Sequence, residues 1–545
     1  MSRSTDGPQP FSRWRSYLWP VHYYELKKLV PMLLIFFLIS FDYNVLRILK
    51  ETSLVYAEGS NAEAIPFVKV GVMLPGTFLM TLLFTRLSSR FSREQTFYLL
   101  ISCFLAFFAL YLFFLYPYRD QLHPNVAADW LQLMLPPGFK GMIATIRNWT
   151  ASSFYAMCEL WGNIVLFVLF WGFANQITRL DEAKRFYGLF GVGANFSGIV
   201  AGQASIWICR GAYNPALPFG TTAWEQSMMV LISLVLLTGI AALGLFRWMQ
   251  CRVLTDPRLY KPEELHLDAS ETKPTFSMRD TVSFLWQSRY ILCIAIIVLS
   301  YNAVINLTEV IWKEQVKELY SDPNDYTIYM NQVSSLIGLF ATLTALFISG
   351  NSIRRCGWTF TALLTPLILL VTSVGFFGFY FLKDHAPALA TQLIGISPLA
   401  IAVFFGSAQN VMSRTAKYSV FDATREMAFI PLNQEEKIKG KAVIDGLCSR
   451  LGKSAGAFIN GFLLVSLGSF SQSAPYIVLF LAVTIAIWIA ATCLLGRRFN
   501  ALTAAHEPSK RSHPSFSVGE KTSMEAEATD LLLSSTAPLQ EQHAV

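Results

Sequence analysis

The sequence predicts an all-α, polytopic membrane protein whose twelve transmembrane helices form two pseudo-symmetric halves of six. Three observations carry this prediction: a strongly apolar composition, twelve apolar segments of bilayer-crossing length, and short motifs that recur in the same order in both halves. Hydrophobic residues make up 53% of the 545 residues, charged residues make up only 14%, and the mean hydropathy is +0.43. A soluble enzyme of this length would be far less apolar.

The twelve apolar segments follow a polar and basic N-terminal stretch, residues 1–29, which is predicted to lie on the cytoplasmic face. Each segment is close to the ~20 residues that a helix needs to cross the bilayer. The predicted halves are 30–246 and 289–496, joined by a polar cytoplasmic linker, 247–288, and followed by a disordered cytoplasmic tail, 497–545. The predicted spans are 30–49, 65–85, 95–116, 151–174, 186–208, 228–246, 289–311, 329–349, 359–382, 393–412, 442–466 and 475–495.

Basic residues are concentrated in alternate connections between these segments. They follow the second, fourth, eighth, tenth and twelfth spans, and the connection after the tenth includes Arg414 and Lys417. Lys and Arg in short loops favour the cytoplasmic side, so both termini are predicted to be cytoplasmic. The net charge of +7 belongs to this pattern, and nucleic acid is therefore not an expected partner.

Several classes of site are disfavoured by the sequence. The eight cysteines form no CxxC pair and the seven histidines fall outside the predicted spans, so no disulfide framework, metal site or cofactor is expected. The stretch LGKSAG at 451–456 is similar to a phosphate-binding loop, but Gly446 is one residue too far upstream and no strand precedes it. No nucleophile constellation is visible, so an enzyme is not expected, although a polytopic membrane enzyme stays as a remote alternative.

An internal repeat supports the division into halves. FDYN at 41–44 corresponds to LSYN at 299–302, and the basic turn after the second span has a counterpart after the eighth. Each match is weak alone, but the order is preserved. Two six-helix halves in parallel repetition are the arrangement of the major facilitator fold, in which the substrate lies between the halves near the midplane.

Charged residues inside the predicted spans are the strongest functional signal. A charge in hydrocarbon costs roughly 2.5 to 3.5 kcal/mol on insertion scales, which makes each of them a candidate functional residue. In the first span, helical spacing aligns Tyr43, Arg47 and Lys50 on one face. Similar polar faces hold Glu159 and Asn163 in the fourth span, Asn302, Asn306 and Glu309 in the seventh, and Asp445 and Lys453 in the eleventh, where Gly452 and Gly456 permit close helix packing.

We interpret these faces as the lining of a central cavity for a multiply charged anion. Lys and Arg would bind phosphate oxygens, and the carboxylates would balance the empty site or carry a coupled proton. The alternative is that the charges form structural ion pairs or reach the interface from the span ends. Lys69 and Arg450, close to span starts, are expected to reach the interface in this way.

At these residues the chain resembles the ATP/ADP translocase family of plastids and obligate intracellular bacteria, in its chlamydial form. The matching motifs include FDYNVLRILKETS, CELWGNIVLFVLFWGFANQIT, YNAVINLTEVIWKEQVK and KIKGKAVIDGLCSRLGKSAG, and the matches run in order from about residue 15 to 500. The resemblance implies twelve helices in a facilitator-like fold and transport of intact nucleotides, ATP, ADP or other nucleoside triphosphates. It also places the transport-critical charges of the family on Lys50, Glu159, Glu309 and Lys453. We expect a monomer in the inner membrane of such a bacterium.

The first motif departs from the pattern of ATP/ADP exchangers, which usually read FNYTxLRDTKD. Here Asp42 replaces the Asn and Glu51 replaces the Asp. Relatives in the same family import nucleotides with protons, so exchange and proton symport both stay open, with Glu159 and Asp42 as candidate proton carriers. Transport of another anion, such as NAD or a sugar phosphate, stays open as well.

Overall fold

The structure, a computed structural model, describes residues 21–256, 288–347, 349–385, 395–441, 443–444 and 448–506. The described part of the chain is helical and contains no strand. Four predictions lie wholly or mostly outside it: the N-terminal segment up to residue 20, the tail beyond residue 506, most of the linker, and Asp445.

Long helices, labelled in chain order, account for both halves. The first half contains α1 (Leu26–Val55), α2 (Ala64–Arg90), α3 (Arg93–Leu115), α4 (Trp149–Ile177), α5 (Leu180–Cys209) and α6 (Ala223–Arg252). The second contains α7 (Arg289–Leu319), α8 (Pro323–Phe347), α9 (Ser349–His385), α10 (Pro398–Ala416, continued by Lys417–Phe421 and Asp422–Ala428), α11 (Ser449–Leu467) and α12 (Phe470–His506). Shorter helices, Arg119–Leu122, Asn125–Met134 and Lys140–Arg147, lie between α3 and α4, and Gln434–Lys441 precedes α11.

The all-α membrane architecture predicted from the sequence is confirmed. Within the described ranges, nine of these helices are long and apolar enough to cross a bilayer. Helices α8, α10 and α11 occupy the places of three further predicted spans. The count of twelve crossings therefore stays a prediction.

Local sequence explains several helix ends. Ser397 accepts a hydrogen bond from the backbone N–H of Ala400, and Pro398 occupies the first turn of α10, where its missing N–H costs nothing. Helix α11 ends at Gly468, whose φ of 89° lies in the left-handed region that glycine tolerates.

Packing is organised around α1 in the first half and α7 in the second. Helix α1 contacts α4, α5 and α6, while α7 contacts α10, α11 and α12. A Cβ at Gly452 would lie 2.8 Å from the Asn302 Cβ, and one at Gly456 would lie 2.9 Å from the Asn306 Cβ. The predicted close approach through these glycines is confirmed, and it brings α11 directly against α7.

The two halves meet along α5 and α8 and along α2 and α11. One end of the bundle, which carries the residues after α1 and α7, is closed by polar contacts between the halves. The Lys317 ammonium donates to the carbonyl oxygens of Val55 and Ser60 at 2.9 and 2.7 Å, and the Ala62 N–H donates to the Glu314 carboxylate at 3.1 Å. We call this the closed end.

At the opposite end the C-terminal part of α2 packs against α3 of its own half, and among the described residues it makes no extensive contact with the other six-helix half. Between Leu74 and Arg90 this helix has no buried residue. Within the described helices, the space between the two halves is therefore closed at one end and accessible from the other.

Candidate functional site

A cavity of about 320 Å³ lies between the two halves. Its walls come from α1, α2 and α4 on one side and from α7, α10 and α11 on the other. This volume is within the range of small-molecule binding sites. The helices that line it include the first, fourth, seventh and eleventh, where the sequence placed its charged faces.

Nearly all the residues singled out from the sequence line this one cavity. The exceptions are Asp42, which points elsewhere, and Asp445, which lies outside the described residues. The predicted residues that line the cavity are Tyr43, Arg47, Lys50, Glu159, Asn163, Asn302, Asn306, Glu309 and Lys453.

Lys50 and Glu159 form an ion pair across the first half. The Lys50 ammonium donates to the Glu159 carboxylate and lies 4.3 Å from the centroid of the Tyr155 ring. Lys50 is buried, whereas Glu159 is 39% exposed to the cavity. A buried ammonium needs a counter-charge, and the aromatic ring adds a cation–π contact. Glu159 thus pairs with Lys50 while its own carboxylate stays exposed to a ligand in the cavity.

Glu309 belongs to a second charged network. Its carboxylate accepts from Lys313 at 2.9 Å and from Arg414 at 2.8 Å. Lys313 also donates to Glu51 of the other half at 2.7 Å, and both of these side chains are buried. The network therefore links the cavity to the contacts that hold the closed end together.

Glu51 was not singled out as a site residue from the sequence, although a signal for it existed. When FDYNVLRILKE is aligned with LSYNAVINLTE, Glu51 and Glu309 occupy equivalent positions of the internal repeat. The structure places both carboxylates on Lys313. The repeat, followed for two more helical turns, would have identified Glu51 as the counterpart of Glu309.

Two expectations about basic residues were wrong. Lys69 and Arg450 were expected to reach the membrane interface, but both line the cavity, and the Lys69 ammonium donates to the Asn306 side-chain oxygen at 3.0 Å. Arg414 and Lys417 were assigned to a cytoplasmic connection, but α10 continues through both and turns them into the cavity. For Arg414 and Lys417 the predicted span ended too early, because apolarity does not follow a helix that faces a polar cavity. Lys69 and Arg450 lay within the predicted spans but were assigned to the membrane interface instead of the cavity.

Departures from regular α-helix occur beside the cavity. π-helical segments cover Val68–Met73, Trp161–Phe170 and Lys417–Phe421, and they carry the lining residues Lys69, Asn163, Lys417 and Tyr418. An extra residue in a helical turn rotates the following side chains, and such segments are frequent at functional sites. This rotation is not visible in a regular helical periodicity.

The cavity is electropositive. Among the described residues, seven cationic and three acidic side chains line it, an excess of four positive charges. Cations in a confined space of low dielectric attract an anion much more strongly than they would in water. The arrangement suits a ligand with several negative charges. The cations are Arg47, Lys50, Lys69, Arg414, Lys417, Arg450 and Lys453, and the acids are Glu51, Glu159 and Glu309.

Asp42 is separate from this site. It is fully buried between α1 and α6, where the Thr238 hydroxyl contacts one carboxylate oxygen and no described residue bonds the other. No described cation lies within ion-pair distance of it. The side chain thus occupies an apolar position on the far side of α1 from the cavity.

Known proteins match this chain both in sequence and in fold. Residues 4–499 match the family described as TLC ATP/ADP transporter. "ADP,ATP carrier protein 1" of Chlamydia muridarum is 45% identical over 92% of this chain and 93% of its own length. "ADP,ATP carrier protein 1, chloroplastic" of Arabidopsis thaliana is 40% identical over 90% of this chain and 77% of its own length.

Solved structures resemble the fold at low identity. A bacterial homologue of the iron transporter ferroportin, in an inward-facing state, aligns with a TM-score of 0.51 at 12% identity, covering 88% of this chain and 99% of that one. A bacterial homologue of the lysosomal transporter Spinster, inward-facing and unoccupied, gives 0.50 at 12% identity with the same coverage. The major-facilitator-like fold expected from the repeat is confirmed, as is the resemblance stated from the motifs. The chain belongs to the TLC ATP/ADP transporter family.

Proposed function

We propose that this protein exchanges ATP and ADP across a bacterial inner membrane by alternating access. The observation that carries the proposal is the excess of four positive charges in a cavity built jointly by both halves. A nucleoside di- or triphosphate brings the complementary negative charge. The relatives named as ADP,ATP carriers support this choice of substrate.

In this proposal, the phosphate groups are bound in the cavity by Lys50, Lys453 and Arg47. Lys50 is held by Glu159 when the cavity is empty, so a phosphate oxygen must compete with that carboxylate. Glu159 and Glu309 thereby act as counter-charges that are exchanged for the substrate. Such an arrangement makes the empty cavity electrostatically tolerable and couples occupancy to a rearrangement of side chains.

Alternating access requires the closed end to open in the other state. The contacts that must then separate include Lys313 with Glu51 and Lys317 with the Val55 and Ser60 carbonyls. The charge of the connections supports a cytoplasmic location for both termini, which would make the accessible end the cytoplasmic one. We further propose that the transporter works as a monomer, because the cavity is completed within one chain.

Proton-coupled net import is a second mode, favoured by the burial of Asp42. A carboxylate without a cation partner in an apolar position favours its protonated form, so Asp42 could bind a coupled proton outside the cavity. Asp42→Asn preserves an acceptor for Thr238. In a proton importer this variant would lose uptake into empty vesicles and keep exchange, whereas in a strict exchanger it would change neither. Glu159→Gln tests the other candidate proton carrier by the same measurement.

The test of the function uses purified protein in proteoliposomes. An exchanger takes up labelled ATP only into vesicles loaded with ADP or ATP, and an uncoupler does not reduce this uptake. Uptake into empty vesicles that collapses with an uncoupler would instead assign proton symport. Uptake of NAD or a sugar phosphate without competition by nucleotides would refute nucleotide transport, and product formation without uptake would indicate an enzyme.

A further inference from the structure

The positive charge of the cavity is distributed unequally between its two walls. The wall formed by α7, α10 and α11 has four cations and one carboxylate in the described residues, whereas the wall formed by α1, α2 and α4 has three cations and two carboxylates. The first wall therefore has an excess of three positive charges and the second an excess of one. A polyanion placed between the two walls would be oriented by this difference.

The four cations of the richer wall form two facing pairs. Arg414 and Lys417 are three residues apart on α10, and Arg450 and Lys453 are three residues apart on α11, so each pair shares one helix face. Arg414 is held by Glu309 at 2.8 Å. No carboxylate of the described residues lies within ion-pair distance of the other three. Arg450 and Lys453 are exposed to the cavity, and Lys417 is half-buried.

The cations of the opposite wall are mostly engaged. Lys50 pairs with Glu159, and Lys69 donates to the Asn306 side chain. The same wall offers the half-buried ring of Tyr43 and the exposed amide of Asn163, whereas the Tyr155 ring is buried beside Lys50. Tyrosine rings and amides occur on both walls, so the orientation follows from the difference in charge, and the ring and amide of this wall can receive a planar, hydrogen-bonding group.

We propose that Lys417, Arg450 and Lys453 form the phosphate subsite, so that the nucleotide binds with its phosphates on the α10–α11 wall and its nucleoside toward Tyr43 and Asn163. This inference rests on the proposed nucleotide transport; it keeps Lys453 from the phosphate-binding set proposed above, adds Lys417 and Arg450, and replaces Arg47 and Lys50 as the first contacts of the phosphates. Arg450 supplies a planar fork for bidentate contact with phosphate oxygens, and the two lysines supply mobile point charges. Lys50 becomes available to the substrate only after Glu159 is displaced.

The test measures competition by adenosine and by adenosine mono-, di- and triphosphate for nucleotide uptake by the full-length chain in proteoliposomes. Arg450→Gln and Lys417→Gln are each expected to weaken ATP competition about tenfold or more, because a hydrogen bond to a charged group is lost. The loss should grow with the number of phosphates and be absent for adenosine. Asn163→Ala should weaken all four ligands by a similar factor, and Arg90→Gln, at the exposed end of α2, should change none.

Lys417→Arg serves as a folding control and should regain most of the affinity, whereas Arg450→Lys keeps the charge without the bidentate fork and should regain only part of it. An equal loss for all four ligands in Arg450→Gln and Lys417→Gln, or no loss at all, would overturn the proposed orientation. A steeper phosphate dependence in Lys69→Gln than in Arg450→Gln would also overturn it. If the unaltered protein takes up no nucleotide, the proposed function fails, whereas normal uptake with unaffected variants rejects only the subsite.

Discussion

The ion pair between Glu51 and Lys313 gives a direct way to move the protein between its two conformations. The two side chains belong to different halves, lie 2.7 Å apart and are 9% and 1% exposed. Since the contact joins the two halves at the closed end, and alternating access as proposed requires it to separate, weakening it should favour the state in which that end is open. Glu51→Gln removes the charge with little change in volume.

The magnitude follows from the environment of Lys313. Removing one partner of a buried ion pair typically costs about 3–5 kcal/mol, largely because the other charge is left alone. Here Lys313 keeps Glu309 at 2.9 Å, so the loss should be closer to the about 1.5–3 kcal/mol of a charge-assisted hydrogen bond. At about 1.4 kcal/mol per factor of ten, the equilibrium should shift roughly 10- to 100-fold toward the open state.

Thiol labelling from the closed end measures this shift. Thr327 is buried there, 2.9 Å from Thr52 of the other half, so a cysteine at position 327 in a cysteine-free background reports opening. Its reaction with a membrane-impermeant maleimide should be at least tenfold faster in Glu51→Gln. Glu58→Gln is the matched control, because Glu58 is exposed near the same end and forms no ion pair with the described residues of the other half.

An unchanged labelling rate in Glu51→Gln would refute the role of this pair as a conformational contact. So would an equal acceleration in Glu58→Gln, because the effect would then reflect general loss of negative charge. Addition of substrate should change the rate in the parent protein, which verifies that position 327 senses the transport cycle.

Two further outcomes are expected. Lys50→Gln and Glu159→Gln should each reduce the exchange rate severely. The double variant should lose much less activity than the product of the two single effects, because each single change leaves a partner unpaired. Strictly multiplicative losses in uptake assays would contradict the pairing. Gly138→Ala should favour opening of the closed end, because its Cβ would lie 2.3 Å from the Leu464 carbonyl oxygen. Faster labelling at position 327 would support this expectation. An equal effect of Gly76→Ala, whose Cβ would meet nothing within 4 Å, would count against it.

Much of the site could be predicted from the sequence, because a charge inside an apolar span is energetically costly and therefore marks a candidate functional residue. Lys50, Glu159, Glu309 and Lys453 were identified in this way, and the structure brings all four to one cavity. The glycines of α11 were identified for the same kind of reason, since two residues without a side chain on one helix face permit close packing.

The errors have a common cause. Apolarity locates the part of a helix that faces lipid, whereas Lys69, Arg414, Lys417 and Arg450 lie on parts that face a polar cavity. For these residues, the hydropathy pattern resembles that of a membrane interface or a cytoplasmic loop. The π-helical segments add rotations that no regular periodicity predicts.

The sequence by itself determined that this protein is a helical membrane protein of two related halves, because the bilayer requires long apolar helices and makes each intramembrane charge conspicuous. It also identified the family through motifs that run along most of the chain. Only the tertiary structure decided which charges are partners, that Glu51 reaches across to Lys313, and that one end is closed while the other is accessible. Those properties depend on distances between residues far apart in the chain, and such distances are fixed by packing rather than by local pattern.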